Sequence, residues 1–113
     1  MHISGSGAPV EVVVVRSCLR CLKFSGHAVK EMLSEEFGEI SEAEVREVLD
    51  AGEIIEDYPA DRPIASCLVH GRTKAGRPLH VVCAPLPEEG ILVIITVYEP
   101  DPAMWIDFKR RKK

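Results

Sequence analysis

Residues 91–97, ILVIITV, limit the fold more than any other stretch, because nothing else in the chain is apolar enough to be buried on both faces. Six aliphatic residues and one Thr, mostly β-branched and bounded by Gly90 and Pro100, predict an inner strand, since a helix needs more length. Residues 79–84 precede it across the Pro/Glu/Gly loop 85–90, so the pair predicts an antiparallel hairpin that the remaining elements must cover or extend.

Upstream, residues 10–22 satisfy two periods: the valines 12–15 favour a strand, whereas Val13, Cys18, Cys21 and Leu22 also fit one side of a helix. Ser25 is a candidate N-cap for a helix over 26–37 with Ala28, Val29, Met32, Leu33 and Phe37 as its apolar stripe and Gly38 as its stop. Ser41 and Glu44 form a capping box, with Ile40 and Val45 placed as a hydrophobic staple, so a second helix is expected with Val45, Val48 and Leu49 inward and Gly52 at its end. Residues 53–58 and 64–72 read as strands, and Asp101 with Pro102 as the start of a last helix carrying Met104, Trp105 and Phe108. The expected class is α+β, with N-terminal helices on a three- to four-stranded antiparallel sheet and a closing C-terminal helix.

With 113 residues the chain suits one domain, expected over 10–108 between a flexible lead at 1–9 and a basic tail at 109–113. The lead lacks the basic and apolar regions of a signal peptide, and no apolar run approaches a membrane span, so a cytoplasmic protein is expected. The net charge of −4 hides a polarity: residues 31–61 carry twelve acids against one Arg, whereas 62–87 carry Arg62, Arg72, Lys74 and Arg77 with no acid. Such a basic pole steers anionic partners, and Lys74 there, with Lys109 and Arg110 in the tail, are candidate substrate-binding cations.

Four cysteines include the pair Cys18 and Cys21, but Cys67 and Cys83 stand singly in apolar strands, where cysteine serves as a small hydrophobe. Neither zinc, a structural disulfide nor any other cofactor is expected. If residues 73–76 form the first sheet turn and 85–90 the second, Arg72 faces Arg77, His70 faces Leu79, Arg77 faces Tyr98 and Leu79 faces Thr96. Arg72, Arg77, Tyr98, His70 and Thr96 then share one face, suited to binding phosphate and stabilising charge on it, while His80 falls on the opposite face as a core or helix-facing residue. His27, at a helix start beside Gly26, is a further candidate acid or base.

The segments FSGHAVKEM, ISEAEVREVLDAGEIIEDYPADRP, GRTKAGRPLHVV and IITVYEPDPAMW resemble a bacterial family described as a domain of unknown function, DUF4258, over roughly residues 22–110. That family is similar to the RelE/ParE toxin superfamily and, more loosely, to MqsR-type ribonuclease toxins. The resemblance implies a microbial-ribonuclease-like α+β fold in which residues 10–21 are helical. It further implies a toxin that cleaves mRNA, free or on the ribosome, and a zinc-finger or helix-turn-helix antitoxin as partner. Tyr98 matches the strand tyrosine of MqsR-like toxins and His27 the family's helix-start histidine. On this view Arg72 and Arg77 hold the phosphate, Tyr98 positions or transfers a proton, and His27 is the base. The rival expectation is a non-catalytic protein-binding module of the same fold.

Overall fold

The computed structural model describes residues 11–112, so the lead expected at 1–9 lies outside the described residues. Helix α1 (Val12–Ser17) leads into a short strand β1 (Leu22–Phe24), helix α2 (Gly26–Ser34) and helix α3 (Glu42–Ala51). Strands β2 (Glu53–Tyr58), β3 (Ser66–Arg72), β4 (Pro78–Leu86) and β5 (Ile91–Tyr98) follow, and a small hairpin of β6 (Trp105–Ile106) and β7 (Arg110–Arg111) ends the chain. The class is α+β, with a five-stranded sheet in the order β1-β5-β4-β3-β2. No helix among the described residues is long and apolar enough to cross a membrane.

The apolar run lies where its composition requires, inside the sheet, with β5 antiparallel to β4 on one side and parallel to β1 on the other. That parallel partner makes the sheet mixed where an all-antiparallel meander was expected. Only Leu22, Lys23 and Phe24 form β1, and their apolar-polar-apolar alternation is too short to stand out between two helices.

One sheet face carries Val69, Leu79, Val81, Leu92, Ile94 and Val97, all buried against Val15 of α1, Ala28 and Met32 of α2, and Val45, Val48 and Leu49 of α3. Each such aliphatic side chain contributes about 1.5–3 kcal/mol by leaving water. The valine cluster at 12–15 resolves as helix because this face needs a covering element, and Arg16 and Arg46 tie α1 to α3 through the carbonyls of Gly52 and Leu19. Local signals decide the other two helix starts: Ser25 accepts from the Ala28 N–H, and Ser41 and Glu44 close the capping box in both directions. Helix α2 stops at Ser34, before the expected Gly38, which leaves Phe37 beyond it; of the expected stripe only Ala28 and Met32 face the core, and Val29, Leu33 and Phe37 are exposed.

The expected closing helix is absent. Asp101 still makes a turn, its side chain accepting from the Ala103 N–H at 2.8 Å and its carbonyl from the Met104 N–H at 2.9 Å. Trp105 then packs edge-on against His80 at 4.4 Å on the sheet, and the chain turns back as a hairpin, so a tertiary aromatic contact overrides the local helix start. Arg110 and Arg111, read as part of a tail beyond the domain, form the second strand of that hairpin.

Two glycines let α3 and the sheet approach closely. A Cβ on Gly52 would sit 2.4 Å from the Val48 carbonyl oxygen and 2.7 Å from that of His70, and one on Gly71 would meet the same Val48 oxygen at 3.0 Å. Gly52→Ala should therefore cost about 1–3 kcal/mol, because the obstructing atoms are backbone and cannot rotate away. Urea unfolding checks this, and an unchanged midpoint would contradict the packing.

Candidate functional site

The first sheet turn has five residues, 73–77, closed by the Thr73 N–H donating to the Arg77 carbonyl at 2.9 Å, with Gly76 at φ +90. This is one residue longer than the expected turn, and the register moves with it. His70 now faces His80, Arg72 faces Pro78, His80 faces Tyr98 and Val82 faces Thr96. The expected face is therefore corrected: Arg77 leaves it, His80 joins it, and Arg72, His70, Thr96 and Tyr98 stay on it. A side-chain row has period two, so one residue in a turn exchanges the two faces of a strand.

Arg77 is instead a clasp between elements. Its guanidinium pairs with Glu99 at 2.7 Å and Glu44 at 3.2 Å and donates to the carbonyls of Glu39 and Gly38, tying the end of β5 to the start of α3. With those partners it is committed to structure. His27 sits on α2, with its side chain 67% exposed and 3.4 Å from Glu31 one turn later, away from the sheet face that carries Tyr98.

The face turned away from the helices holds a polar and aromatic cluster. His80 is fully buried in it; Nε2 lies 2.6 Å from the Phe108 carbonyl oxygen and Nδ1 lies 3.1 Å from the Tyr98 hydroxyl. A carbonyl only accepts, so Nε2 carries the proton, and a neutral ring then leaves Nδ1 to accept from the Tyr98 O–H. Burial pushes the His80 pKa down to about 4, so the ring is neutral near pH 7. Burial likewise lowers His70 and raises Tyr98 from their ordinary values.

His70 packs edge-on against His80 at 5.4 Å, and its buried Nδ1 has no hydrogen-bond partner among the described residues. Phe108 lies 6.2 Å from His70, with the Arg72 guanidinium 5.5 Å from its ring on the solvent side. Arg111 sits 4.7 Å from the Trp105 ring and grips Glu56 with two nitrogens at 2.9 and 3.1 Å, while Lys109 pairs with Glu53 at 2.7 Å. These cations hold the carboxyls of Glu56 and Glu53 below the usual range, and burial followed by the bond to Glu56 pushes Tyr58 up to about 12.

The hairpin thus brings Lys109, through Glu53, to the side of the sheet on which Arg72 reaches Phe108, while Arg110 pairs with Ile106 in the hairpin itself. Lys74 stands apart in the sheet turn, its backbone N–H held by Glu47, and Thr96 lies one step along the strand from Tyr98. His80, Trp105, Phe108, Arg111 and Glu56 were not legible as a group in the sequence. Among them, only the Pro after Arg77, which cannot donate to a ladder, hinted that pairing begins at residue 78. Cys67 and Cys83 face each other in the sheet with sulfurs 3.9 Å apart, Cys18 is buried after α1 and Cys21 is exposed.

The burial of neutral His80 sets a pH dependence. Above pH 6.5 the ring is neutral in both folded and unfolded chains; between 6.5 and about 4 only the unfolded chain takes up the proton, so stability falls as pH falls through that window. The full effect is on the order of 3 kcal/mol. His80→Gln, which keeps a donor for the Phe108 carbonyl, should reduce the slope in this part of the curve to the share contributed by His70, also lowered by burial, whereas the lowered carboxyls of Glu53 and Glu56 act only below pH 4.5. Denaturant unfolding at several pH values checks it, and a slope in the variant equal to that of the parent would contradict the assignment.

The model of the family described as a domain of unknown function, DUF4258, matches residues 24–99, from the last residue of β1 to the residue after β5. No curated protein and no solved structure matches the chain. With the match covering most of its length and every strand of the sheet except the start of β1, the chain belongs to the DUF4258 family.

Proposed function

We propose that the protein is a toxin of RelE/MqsR-like type with a microbial-ribonuclease-like fold, a metal-independent endoribonuclease that cleaves mRNA and is neutralised by a partner antitoxin. The observation that carries this reading is the Tyr98–His80 pair, 3.1 Å apart with the imidazole neutral and its free nitrogen turned to the phenol. In cleavage, the RNA 2′-OH attacks its own phosphate and its proton passes to the Tyr98 oxygen as the phenol proton moves to His80 Nδ1. The bond from phosphorus to the 5′-oxygen breaks, and that oxygen takes up a proton from the charged His80 through the same phenol. Arg72, Lys109 and Arg110 supply positive charge for the phosphates from the rim of the face. The roles first given to Arg77 and His27 pass to Arg72 and His80.

A specific observation favours a second reading, the non-catalytic protein-binding module. Val29 and Leu33 are exposed on α2 and line a groove of 200 Å³ with Phe24, Met32 and Ile40, and such an apolar patch suits a protein partner.

Cleavage of a labelled RNA separates the readings. Tyr98→Phe should lower the rate about 10²- to 10⁴-fold, the usual worth of general acid–base catalysis, and should also lower stability by about 1–3 kcal/mol because His80 Nδ1 loses its donor, so the rate is compared where both proteins are fully folded. Arg77→Ala should mainly lower stability, by about 1–3 kcal/mol, because it leaves Glu44 and Glu99 without their shared partner. In cells, expression should arrest growth, and co-expression of a small zinc-finger or helix-turn-helix protein encoded beside it should relieve the arrest. A wild-type protein that cuts no RNA would leave the binding-module reading in its place.

A further inference from the structure

We infer that the hairpin β6–β7 is a displaceable cap over the His70–His80–Tyr98 cluster, held shut by carboxylates of β2 and opened by a polyanion that takes over its cations. The inference assigns a purpose to the cap only through the ribonuclease reading, but the movement itself rests on the hairpin's own geometry.

Residues 109–112 are all cationic, and two of them bind the hairpin to the sheet: Lys109 to Glu53 and Arg111 to Glu56. The Lys109–Glu53 pair is exposed on both sides, at 52% and 55%, so its carboxylate is open to replacement by another anion. A phosphodiester offers Arg the same planar, two-oxygen grip that Glu56 provides. The hairpin forms its own two-stranded sheet and shares no ladder with the main one, so displacing it breaks no strand pairing.

Its turn also stores strain. Asp107 and Phe108 lie at φ 54 and 59, a left-handed pair closed by the Lys109 N–H to the Ile106 carbonyl at 3.0 Å; aspartate tolerates that conformation, but the bulky Phe108 stands where such a turn favours glycine. The strained Phe108 carbonyl is the one that holds His80 Nε2. Beneath it, His70 Nδ1 has no hydrogen-bond partner among the described residues, a buried polar atom that gains one when water or a phosphate O–H enters. Closed, the cap seals His80 completely; open, it exposes both imidazoles and carries its cations with the anion.

Trp105, the single tryptophan, belongs to the cap, is 6% exposed with its ring against His80, and reports the cap's position. The test uses the full chain at low salt and a short single-stranded 2′-O-methyl RNA, which binds as a polyanion but lacks the attacking hydroxyl. Binding, followed by anisotropy of the labelled oligonucleotide, should raise acrylamide quenching of Trp105 and speed exchange of the His80 Nε2–H, whose acceptor is the Phe108 carbonyl of the cap, and added salt should reverse both. Glu56→Gln should reach half-opening at about threefold lower oligonucleotide than Glu88→Gln, which removes the same charge from the exposed β4–β5 loop. Binding with unchanged quenching and exchange, no binding at low salt, or equal behaviour of the two variants would overturn the cap. If the cap opens and ordinary RNA stays intact, the cap stands and the ribonuclease reading falls.

Discussion

The hydrogen bond between the fully buried His80 ring, at Nε2, and the Phe108 carbonyl, 2.6 Å long, is the joint on which the outer face of the sheet depends. It is the polar link between the main sheet and the C-terminal hairpin at the centre of their contact, with the Trp105 ring beside it and the ion pairs of Lys109 and Arg111 at the rim. A buried imidazole without that acceptor would leave a donor unsatisfied, at a cost of about 1–3 kcal/mol. The same bond fixes the tautomer, and the tautomer decides that Nδ1 accepts from Tyr98. Fold, protonation state and candidate chemistry thus meet at one ring.

The two faces of the sheet divide the work. On the helical face, close packing of aliphatic residues and the glycine contact between α3 and β3 supply stability, and the Arg77 clasp fixes the helices to the strand ends. On the outer face, stability gives way to polarity: Glu53, Glu56, Tyr58, His70, His80 and Tyr98 stand in neighbouring positions across four strands. Such a concentration of titratable groups in a partly dry setting is a reason to look there for function, since it is costly to bury and adds little to packing.

Elements specified by neighbours in sequence were legible. The Ser41–Glu44 capping box, the Ser25 cap and the β-branched run of β5 each depend on residues a few positions apart. Elements specified at a distance were not. Asp101 and Pro102 look like a helix start, but the affinity of Trp105 for the His80 ring, 25 residues earlier, directs the chain into a hairpin. The site was legible in part: Tyr98, His70, Arg72 and Thr96 share a face as expected, whereas a single extra residue in the 73–77 turn exchanged Arg77 for His80. His80 read as a core residue and is buried as one, but on the face away from the helices.

The state of the His80 ring tests the account most directly, and nitrogen-15 NMR of the imidazole reads it. The account predicts a neutral ring at pH 6 with the proton on Nε2, a slowly exchanging Nε2–H, and titration near the value of about 4 that burial imposes. A ring that titrates near 6.5 as a mixture of tautomers would show that neither the hairpin nor Tyr98 holds it, and would contradict both the site and its cap.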